Sequence, residues 1–159
     1  MKQHTVLALA ILVVVVGCAM QPFVPTETTE VVDLPGQKQR DIYNKTRQWF
    51  SQYFVSGKSV VDYENADAGT IIGNGIADIG TDSLGLIKYR IHYNIRIDVK
   101  DEKLRAITKI TKHTNTDSSS TYDVGNLTEE RNAKAKAHVS AIVADIKKYV
   151  SNRKDDSKW

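Results

Sequence analysis

Residues 87–100 read IKYRIHYNIRIDVK. Apolar side chains occupy every second position, and polar or charged side chains fill the positions between them. A period of two held over this length is typical of a β-strand with one buried side and one solvent-facing side. The stretch therefore predicts a long strand whose polar side carries Lys88, Arg90, His92, Asn94, Arg96, Asp98 and Lys100.

The following stretch, KLRAITKITKH at residues 103–113, pairs with this strand if Asp101 and Glu102 form a two-residue turn. The apolar sets then coincide, with Val99, Ile97, Ile95 and Tyr93 opposite Leu104, Ala106, Thr108 and Ile110. Asp98 faces Arg105, and His113 lies opposite Arg90. A slip of one residue would place apolar side chains opposite charges. Asp-Glu is not a preferred hairpin dipeptide, so a longer turn or a bulge stays an alternative.

Shorter segments predict the rest of an antiparallel sheet. EVVD at 30–33 is a first strand that ends before Pro35 and Gly36, SVVDYE at 59–64 is a second, and TIIGNGIADIG at 70–80 is its hairpin partner. Gly73 and Gly75 fall on the apolar side of the last segment. Their missing side chains would let a helix or a neighbouring strand approach closely.

Two segments have helical periodicity. In residues 39–54 one face carries Ile42, Thr46, Trp49, Phe50 and Tyr53, and Gly57 follows where a helix would end. The last helix is predicted from about residue 127 to 150, with Asn126 and Glu129 as a capping box. Its buried stripe is Ala135, Val139, Ile142, Val143, Ile146 and Val150. Residues 114–125 between strand and helix predict a polar loop.

These elements give the order β-α-β-β-β-β-α, an α+β fold in which two helices cover one face of an antiparallel sheet. The order is similar to one repeat of the TATA-binding-protein fold. Three segments, LPGQ at 34–37, residues 60–75 and YNIRIDVKDEKLRAITKI at 93–110, resemble a bacterial family of unknown function with a TATA-binding-protein-like fold. Members often carry glycine at the position of Glu102 and an aromatic residue at that of Leu104. The resemblance implies the fold and a habit of following a lipoprotein signal, and it supplies no catalytic residues.

The N-terminus predicts export. Residues 6–16 form an apolar run of the length of a secretory signal, and a spanning helix needs about 20 residues. The run ends in VVGC at 15–18, which resembles the bacterial lipobox. That resemblance implies cleavage between Gly17 and Cys18, acylation of Cys18 with chains such as palmitate, and, because Ala19 is not Asp, the outer membrane. The alternative is an ordinary signal peptide that is cut elsewhere.

The domain organisation follows from these readings. Residues 1–17 are a lipoprotein signal peptide, 18–29 a lipid-anchored tether with Pro22 and Pro25, 30–151 a single folded domain, and 152–159 a charged flexible tail. We expect an exported protein of the bacterial cell envelope that is held at a membrane through Cys18.

The predicted function is a non-catalytic binding or scaffold module that uses the uncovered sheet face. The candidate binding face consists of Lys88, Arg90, His92, Arg96, Lys100, Arg105, Lys109 and His113. Such a face suits an acidic partner, either an envelope protein or an anionic ligand such as lipid headgroup or lipopolysaccharide phosphates. The alternative is a face that is merely solvated. Nucleic acid is not expected, because the net charge is only +3 and the face lacks apolar wedges.

Two further alternatives stay open. One is an envelope enzyme with a small polar site around His92 and His113, and the other is a purely structural envelope component. Two histidines without a third ligand do not make a zinc site, and no nucleophile motif is present. We therefore expect no metal, no cofactor and no catalysis.

Overall fold

The computed structural model describes residues 24–54 and 59–152. The predicted signal peptide with Gly17, residues 18–23 of the predicted tether with Cys18, Gly57 and residues 153–159 lie outside the described residues. The elements in chain order are β1 (Thr26–Asp33), α1 (Gln39–Tyr53), β2 (Ser59–Asn65), β3 (Thr70–Thr81), β4 (Lys88–Lys100), β5 (Lys103–Thr116), β6 (Thr121–Val124) and α2 (Glu129–Ser151).

All six strands form one antiparallel sheet in the order β1-β5-β4-β3-β2, and β6 pairs with β5 beyond the end of β1. The alternating apolar side chains of β4 point to the same side as the buried faces of α1 and α2 and form the core with them. The α+β architecture with both helices on one face is therefore confirmed. In the part of the chain that the structure describes, no helix has the length and apolar character needed to cross a bilayer.

The pairing of the two central strands follows the predicted register up to Tyr93. Val99 lies opposite Leu104, Tyr93 opposite Ile110, and Asp98 opposite Arg105. The connection is the two-residue turn Asp101–Glu102, in which Glu102 adopts a left-handed φ of 63°. Neighbouring segments hold this residue in place: its backbone N–H donates to the Gln37 carbonyl at 2.9 Å, and its carbonyl accepts from Leu34 N at 2.7 Å.

Gly73 and Gly75 have the predicted role. A Cβ atom built on Gly73 would lie 2.7 Å from Cε1 of Phe50 in α1, and one on Gly75 would overlap the ring of Tyr93 in β4. The missing side chains thus let α1 lie on β3 and let the large Tyr93 ring lie beside it. Interiors are packed at crystal density, so these two positions have no room for even a methyl group.

Four expectations from the sequence were wrong in detail. The first strand begins at Thr26 inside the predicted tether, because Thr26–Thr29 pair with Ile110–Ile107. Residues 121–124 of the predicted polar loop form β6. The second helix is capped by Thr128, whose hydroxyl accepts from Arg131 N, so Asn126 is not the cap. In α1, Tyr43 is buried and Tyr53 is 38% exposed.

The sheet has two ends of different construction. At the turn end, the Asp101–Glu102 turn, the β2–β3 hairpin and the start of α1 lie together, and Gln37 contacts the end of α2 through the Val150 carbonyl. At the loop end lie the β3–β4 connection, residues 82–87, and the β5–β6 connection, residues 117–120. Each of these two loops is closed by its own aspartate.

Candidate functional site: the open sheet face

The open face is the side of the sheet opposite the helices. Strand β4 supplies Lys88, Arg90, His92, Asn94, Arg96, Asp98 and Lys100, as predicted. The pairing register adds residues from both neighbours: β3 contributes Thr70, Ile72, Asn74, Ile76 and Asp78, and β5 contributes Lys103, Arg105, Ile107, Lys109, Lys112, Thr114 and Thr116. Seven of the predicted binding residues therefore share one surface: Lys88, Arg90, His92, Arg96, Lys100, Arg105 and Lys109.

The charges on this face are largely matched in pairs. Arg90 Nε lies 2.6 Å from Asp78 Oδ1, and Lys112 Nζ lies 2.7 Å from Asp123 Oδ1. Arg96 and Arg105 both contact Asp98. Because opposite charges alternate across the strands, the open face is a mosaic of ion pairs rather than an unbroken basic stripe.

Asp98 is the centre of the best-connected cluster. Its Oδ2 accepts from Arg105 Nη2 at 2.7 Å, and its Oδ1 accepts from Arg96 Nε at 2.9 Å and from Thr70 Oγ1 at 3.0 Å. Burial by itself would raise the pKa of Asp98, but the hydrogen bonds from Arg105, Arg96 and Thr70 outweigh burial and lower it. The carboxylate is thus held ionised and fixes both guanidinium groups in place.

His92 lies on the open face as predicted, where its Nε2 is 3.2 Å from the hydroxyl of Thr114. Burial lowers the pKa of His92, and the charges of Lys112 and Arg90 lower it further against the opposing effect of Asp123. The imidazole is therefore a neutral hydrogen-bonding group at neutral pH and adds no positive charge to the face.

His113 does not belong to the open face. The register shifts by one residue between His92 and Tyr93, since β5 has an extra residue, Thr111, at this point. A bulge of this kind reverses the side to which every later side chain points. His113 consequently lies opposite Ile91, not Arg90, is only 3% exposed, and its Nδ1 is 3.0 Å from the Gly125 carbonyl oxygen on the helix side.

This bulge also separates the two histidines of the predicted polar site. His92 points to the open face and His113 to the core, so the sheet lies between them. Within residues 24–54 and 59–152, no three His, Cys, Asp or Glu side chains are grouped as metal ligands would be.

The open face carries apolar residues that the sequence analysis did not assign to it. Ile72 and Ile107 lie on either side of Arg96, Ile76 lies beside His92, and Val31 of β1 lies beside Arg105 with 56% of its surface exposed. At the turn end of the face is a depression of about 200 Å³ lined by Val31, Asp98, Lys100, Lys103, Leu104 and Arg105. The face therefore combines apolar contact area with fixed cations.

A second concave region lies between α1 and the edge strand β2. It measures about 290 Å³, and its floor is formed by Phe50 and Ile71, with Arg47, Ser51, Val61, Asp62, Tyr63 and Glu64 around them. Arg47 Nε donates to Glu64 Oε2 at 2.9 Å across its rim. The strand β2 shifts register between Val61 and Tyr63, and this shift shapes the groove.

Comparison with known proteins identifies the family. The family described as "Domain of unknown function (DUF4468) with TBP-like fold" matches residues 29–112, from Thr29 within β1 to Lys112 within β5. The chain belongs to this family. No protein in a search of curated sequences matches the DUF4468 chain.

Two solved structures share the fold of this DUF4468 protein. A TBP-like protein from Parabacteroides distasonis superposes with a TM-score of 0.62 at 15% identity, over 80% of this chain and 94% of that one. A DUF4468 family protein from Bacteroides ovatus superposes with a TM-score of 0.56 at 17% identity, over 84% and 89%. The resemblance to a family with a TATA-binding-protein-like fold is confirmed, and the likeness concerns the fold alone.

Proposed function

We propose that this DUF4468 protein is a lipid-anchored protein of the bacterial envelope whose folded domain is a non-catalytic binding module. Its binding surface is the turn-end half of the open face, around the depression beside Val31. The partner is an acidic envelope protein or an anionic ligand. The observation that carries the proposal is an uncovered sheet face on which fixed cations surround an apolar contact area.

The charge arrangement supports an acidic partner. Arg96 and Arg105 are held by Asp98, which gives their guanidinium groups a defined position. Lys100 and Lys109 form no ion pair with any residue in 24–54 or 59–152. A partner carboxylate or phosphate would supply a close counter-charge to both ammonium groups, of which Lys109 has Glu27 of β1 opposite it without an ion pair. Such a partner would displace little existing structure.

The apolar residues support binding to a surface rather than to a free ion. Ile107 and Ile72 lie at the centre of the face, and Val31 borders the depression. Binding surfaces typically have an apolar centre that excludes water, surrounded by polar groups that set orientation. The open face has this composition.

The face is tested by reversing the two unpaired cations. A Lys100→Glu/Lys109→Glu variant breaks no ion pair of the described chain, so it should remain folded. The matched control is Lys136→Glu/Lys147→Glu, which makes the same change of charge on exposed positions of α2, on the other side of the molecule. A photoreactive amino acid at Ile107 should form adducts in intact cells that the first variant loses and the control keeps. Adducts that are the same in both variants would contradict the proposed face.

The anchor is tested by mass spectrometry of the mature N-terminus, which should begin at an acylated Cys18. A Cys18→Ala variant should accumulate as unprocessed precursor. A mature chain with a free Cys18 thiol, or one cut elsewhere, would replace the anchor with an ordinary signal peptide. The result on Ile107 does not depend on this outcome, so the two parts of the proposal can fail separately.

A further inference from the structure

The leucine loop, residues 82–87 at the loop end, exposes two large apolar side chains. Leu84 is 76% exposed and Leu86 is 66% exposed. They are the two most exposed leucines in the described chain, and they are separated only by Gly85. Single exposed apolar residues are common on protein surfaces, but two on one protruding loop form a compact apolar tip.

The loop holds these leucines out by its own hydrogen bonds. The Asp82 carboxylate accepts from Leu86 N at 2.7 Å and from Ile87 N at 2.9 Å, and the Asp82 carbonyl accepts from Gly85 N at 3.1 Å. These backbone hydrogen bonds lower the pKa of Asp82. With its backbone fixed in this way, the loop cannot fold its leucines back onto the sheet without losing these bonds.

The surroundings of the tip suit a membrane interface. Lys88 follows the loop directly, and Tyr122 at the same end of the sheet has 41% of its surface exposed. Ser118, Ser119 and Ser120 form the adjacent loop. The two aspartates of these loops, Asp82 and Asp117, accept hydrogen bonds from backbone N–H groups of their own loops. The remaining leucines, lysine, tyrosine and small hydroxyl residues match the mixed apolar and polar character of the headgroup region of a bilayer.

The direction of the first strand places the anchor at this end. β1 runs from Thr26, opposite Ile110, to Asp33 at the turn end, so the preceding chain enters the sheet from the side of the loop end. Tyr93, which pairs with Ile110, is five residues from Lys88 at the end of β4, a distance of about 17 Å. The leucine loop extends a little further than Lys88.

The length of the tether matches this distance. Cys18 precedes Thr26 by eight residues, which reach at most about 29 Å when fully extended. A bilayer that holds Cys18 therefore lies within reach of the leucine loop. The turn end lies on the far side of Thr26, and the tether would have to reverse along the sheet to bring that end to the membrane.

We infer that the leucine loop, with Leu84 and Leu86 at its tip, inserts into the membrane surface to which Cys18 anchors the chain. The lipid holds the protein at the bilayer, and the loop sets its orientation, so that the open face stands roughly perpendicular to the membrane and remains accessible. This inference rests on the lipid anchor that forms part of the proposed function.

The test uses the lipidated full-length protein in vesicles of phosphatidylethanolamine and phosphatidylglycerol. Cys18 is the only cysteine of the chain, so a Ser83→Cys variant has one free thiol for an environment-sensitive fluorophore once Cys18 carries lipid. The fluorophore at residue 83 should show blue-shifted emission and lose intensity when spin-labelled lipid is added. The same fluorophore on Val31→Cys, an exposed apolar position of the open face, should show neither effect.

A second variant tests whether the leucines, rather than the fluorophore, hold the loop in the membrane. Leu84→Ser/Leu86→Ser in the Ser83→Cys background keeps Asp82 and Gly85, and hence the loop backbone, and should abolish the quenching. If the fluorophore at residue 83 is as exposed to water as that at residue 31, while mass spectrometry shows acylated Cys18, the leucine loop does not contact the membrane and the anchor still stands. If Cys18 is unacylated, the anchor fails, and quenching of the fluorophore on a Cys18→Ser/Ser83→Cys variant in these vesicles then decides whether the loop contacts the membrane. A fluorophore that is exposed to water in vesicles but protected from water in intact cells would mean that a protein covers the leucines. That result would also overturn the inference.

Discussion

The two ends of the sheet close in different ways. At the turn end, hydrogen bonds join segments far apart in the chain: Asp101 Oδ1 accepts from Gln39 N at 2.8 Å, and the Gly69 carbonyl accepts from Val99 N at 2.8 Å. At the loop end, Asp82 and Asp117 each bind backbone N–H groups within five residues of themselves.

This difference means that the turn end contributes to the stability of the whole domain, whereas the loop end presents exposed side chains. A long-range bond at the turn end holds several elements together, so a change there affects the whole domain. A local bond at the loop end fixes only its own loop, and therefore leaves Leu84 and Leu86 free to face a partner. Regions closed by local contacts generally open independently of the global unfolding reaction.

The largest expected effect comes from two glycines with similar backbone angles, Gly69 at the turn end with φ +65° and Gly85 at the loop end with φ +72°. A Cβ atom on Gly69 would lie 2.5 Å from Val99 O and 2.8 Å from Gln39 Nε2, whereas one on Gly85 would have nothing within 4 Å. Gly85→Ala should lower the free energy of unfolding by about 1–2 kcal/mol through backbone strain alone. Gly69→Ala should lower it by about 3–4 kcal/mol, because crowding is added. Denaturant titration of both variants measures the two losses, and equal losses would remove the distinction between the ends.

A second effect distinguishes, by pH, the buried histidines on the helix side of the sheet from the Asp98 cluster at the turn end. Burial lowers the pKa of His113 more than its hydrogen bond with the Gly125 carbonyl raises it, and burial also lowers the pKa of His138, whose ring packs edge-on against Tyr93. An unfolded histidine has a pKa of about 6.5, so as pH falls below that value the unfolded state takes up protons before the folded state does. We therefore expect stability to decrease between about pH 7 and pH 5.

The stability contributed by Asp98 at the turn end changes in a lower pH range. The pKa of Asp98 is lowered by its arginine partners, so its contribution is fully present above the unfolded value of about 3.9 and is lost as pH falls through the folded value. The protection of backbone amides against hydrogen exchange, corrected for the intrinsic rate at each pH, should thus decrease at Thr114 before Val99 as pH falls from about 7 to about 5. His138→Phe keeps an aromatic ring beside Tyr93 and should flatten the dependence of unfolding free energy on pH between 7 and 5. A wild-type stability that is constant over that range would show that the two histidines do not control it.

The smallest effect is expected from removing one carboxylate at each end, that of Asp101 at the turn end or that of Asp82 at the loop end. Asp101→Ala removes the side chain that accepts from the first N–H of α1, and Lys38 at the N-cap supplies no side-chain hydrogen bond in its place. Hydrogen exchange should accelerate at Gln39. It should also accelerate at Leu34, whose N–H donates to the Glu102 carbonyl, and at Glu102, whose N–H donates to the Gln37 carbonyl. Asp82→Ala should accelerate exchange only at Leu86 and Ile87. Faster exchange in α1 after Asp82→Ala would mean that the loop end is coupled to the rest of the domain.

Several features of the fold were predictable because the signal is local. The alternation in β4 specifies which side is buried, and the matching alternation in residues 104–110 specifies the register. The predicted buried stripe of α2 is buried at all six positions. These predictions rest on periods of 2 and 3.6, which any short window of the sequence displays.

The bulge at Thr111 was not predictable in this way. Residues 111–116 read TKHTNT and are all polar, so no alternation marks the point where the side chains change sides. The prediction for His113 failed for this reason. The isoleucines of the open face were missed because TIIGNGIADIG has apolar residues on both sides, and glycines occupy part of the buried side.

The sequence by itself determined the order of the elements, the central register and the separation of an apolar from a polar side of the sheet. Only the tertiary structure decided how the charges of the open face pair, where His113 points and what caps α1. Side-chain alternation is a property of consecutive residues, whereas an ion pair such as Arg90–Asp78 or a cap such as Asp101 on Gln39 joins residues 12 and 62 positions apart. Such contacts form only after strand pairing, bulges and turns have fixed the relative positions of those residues.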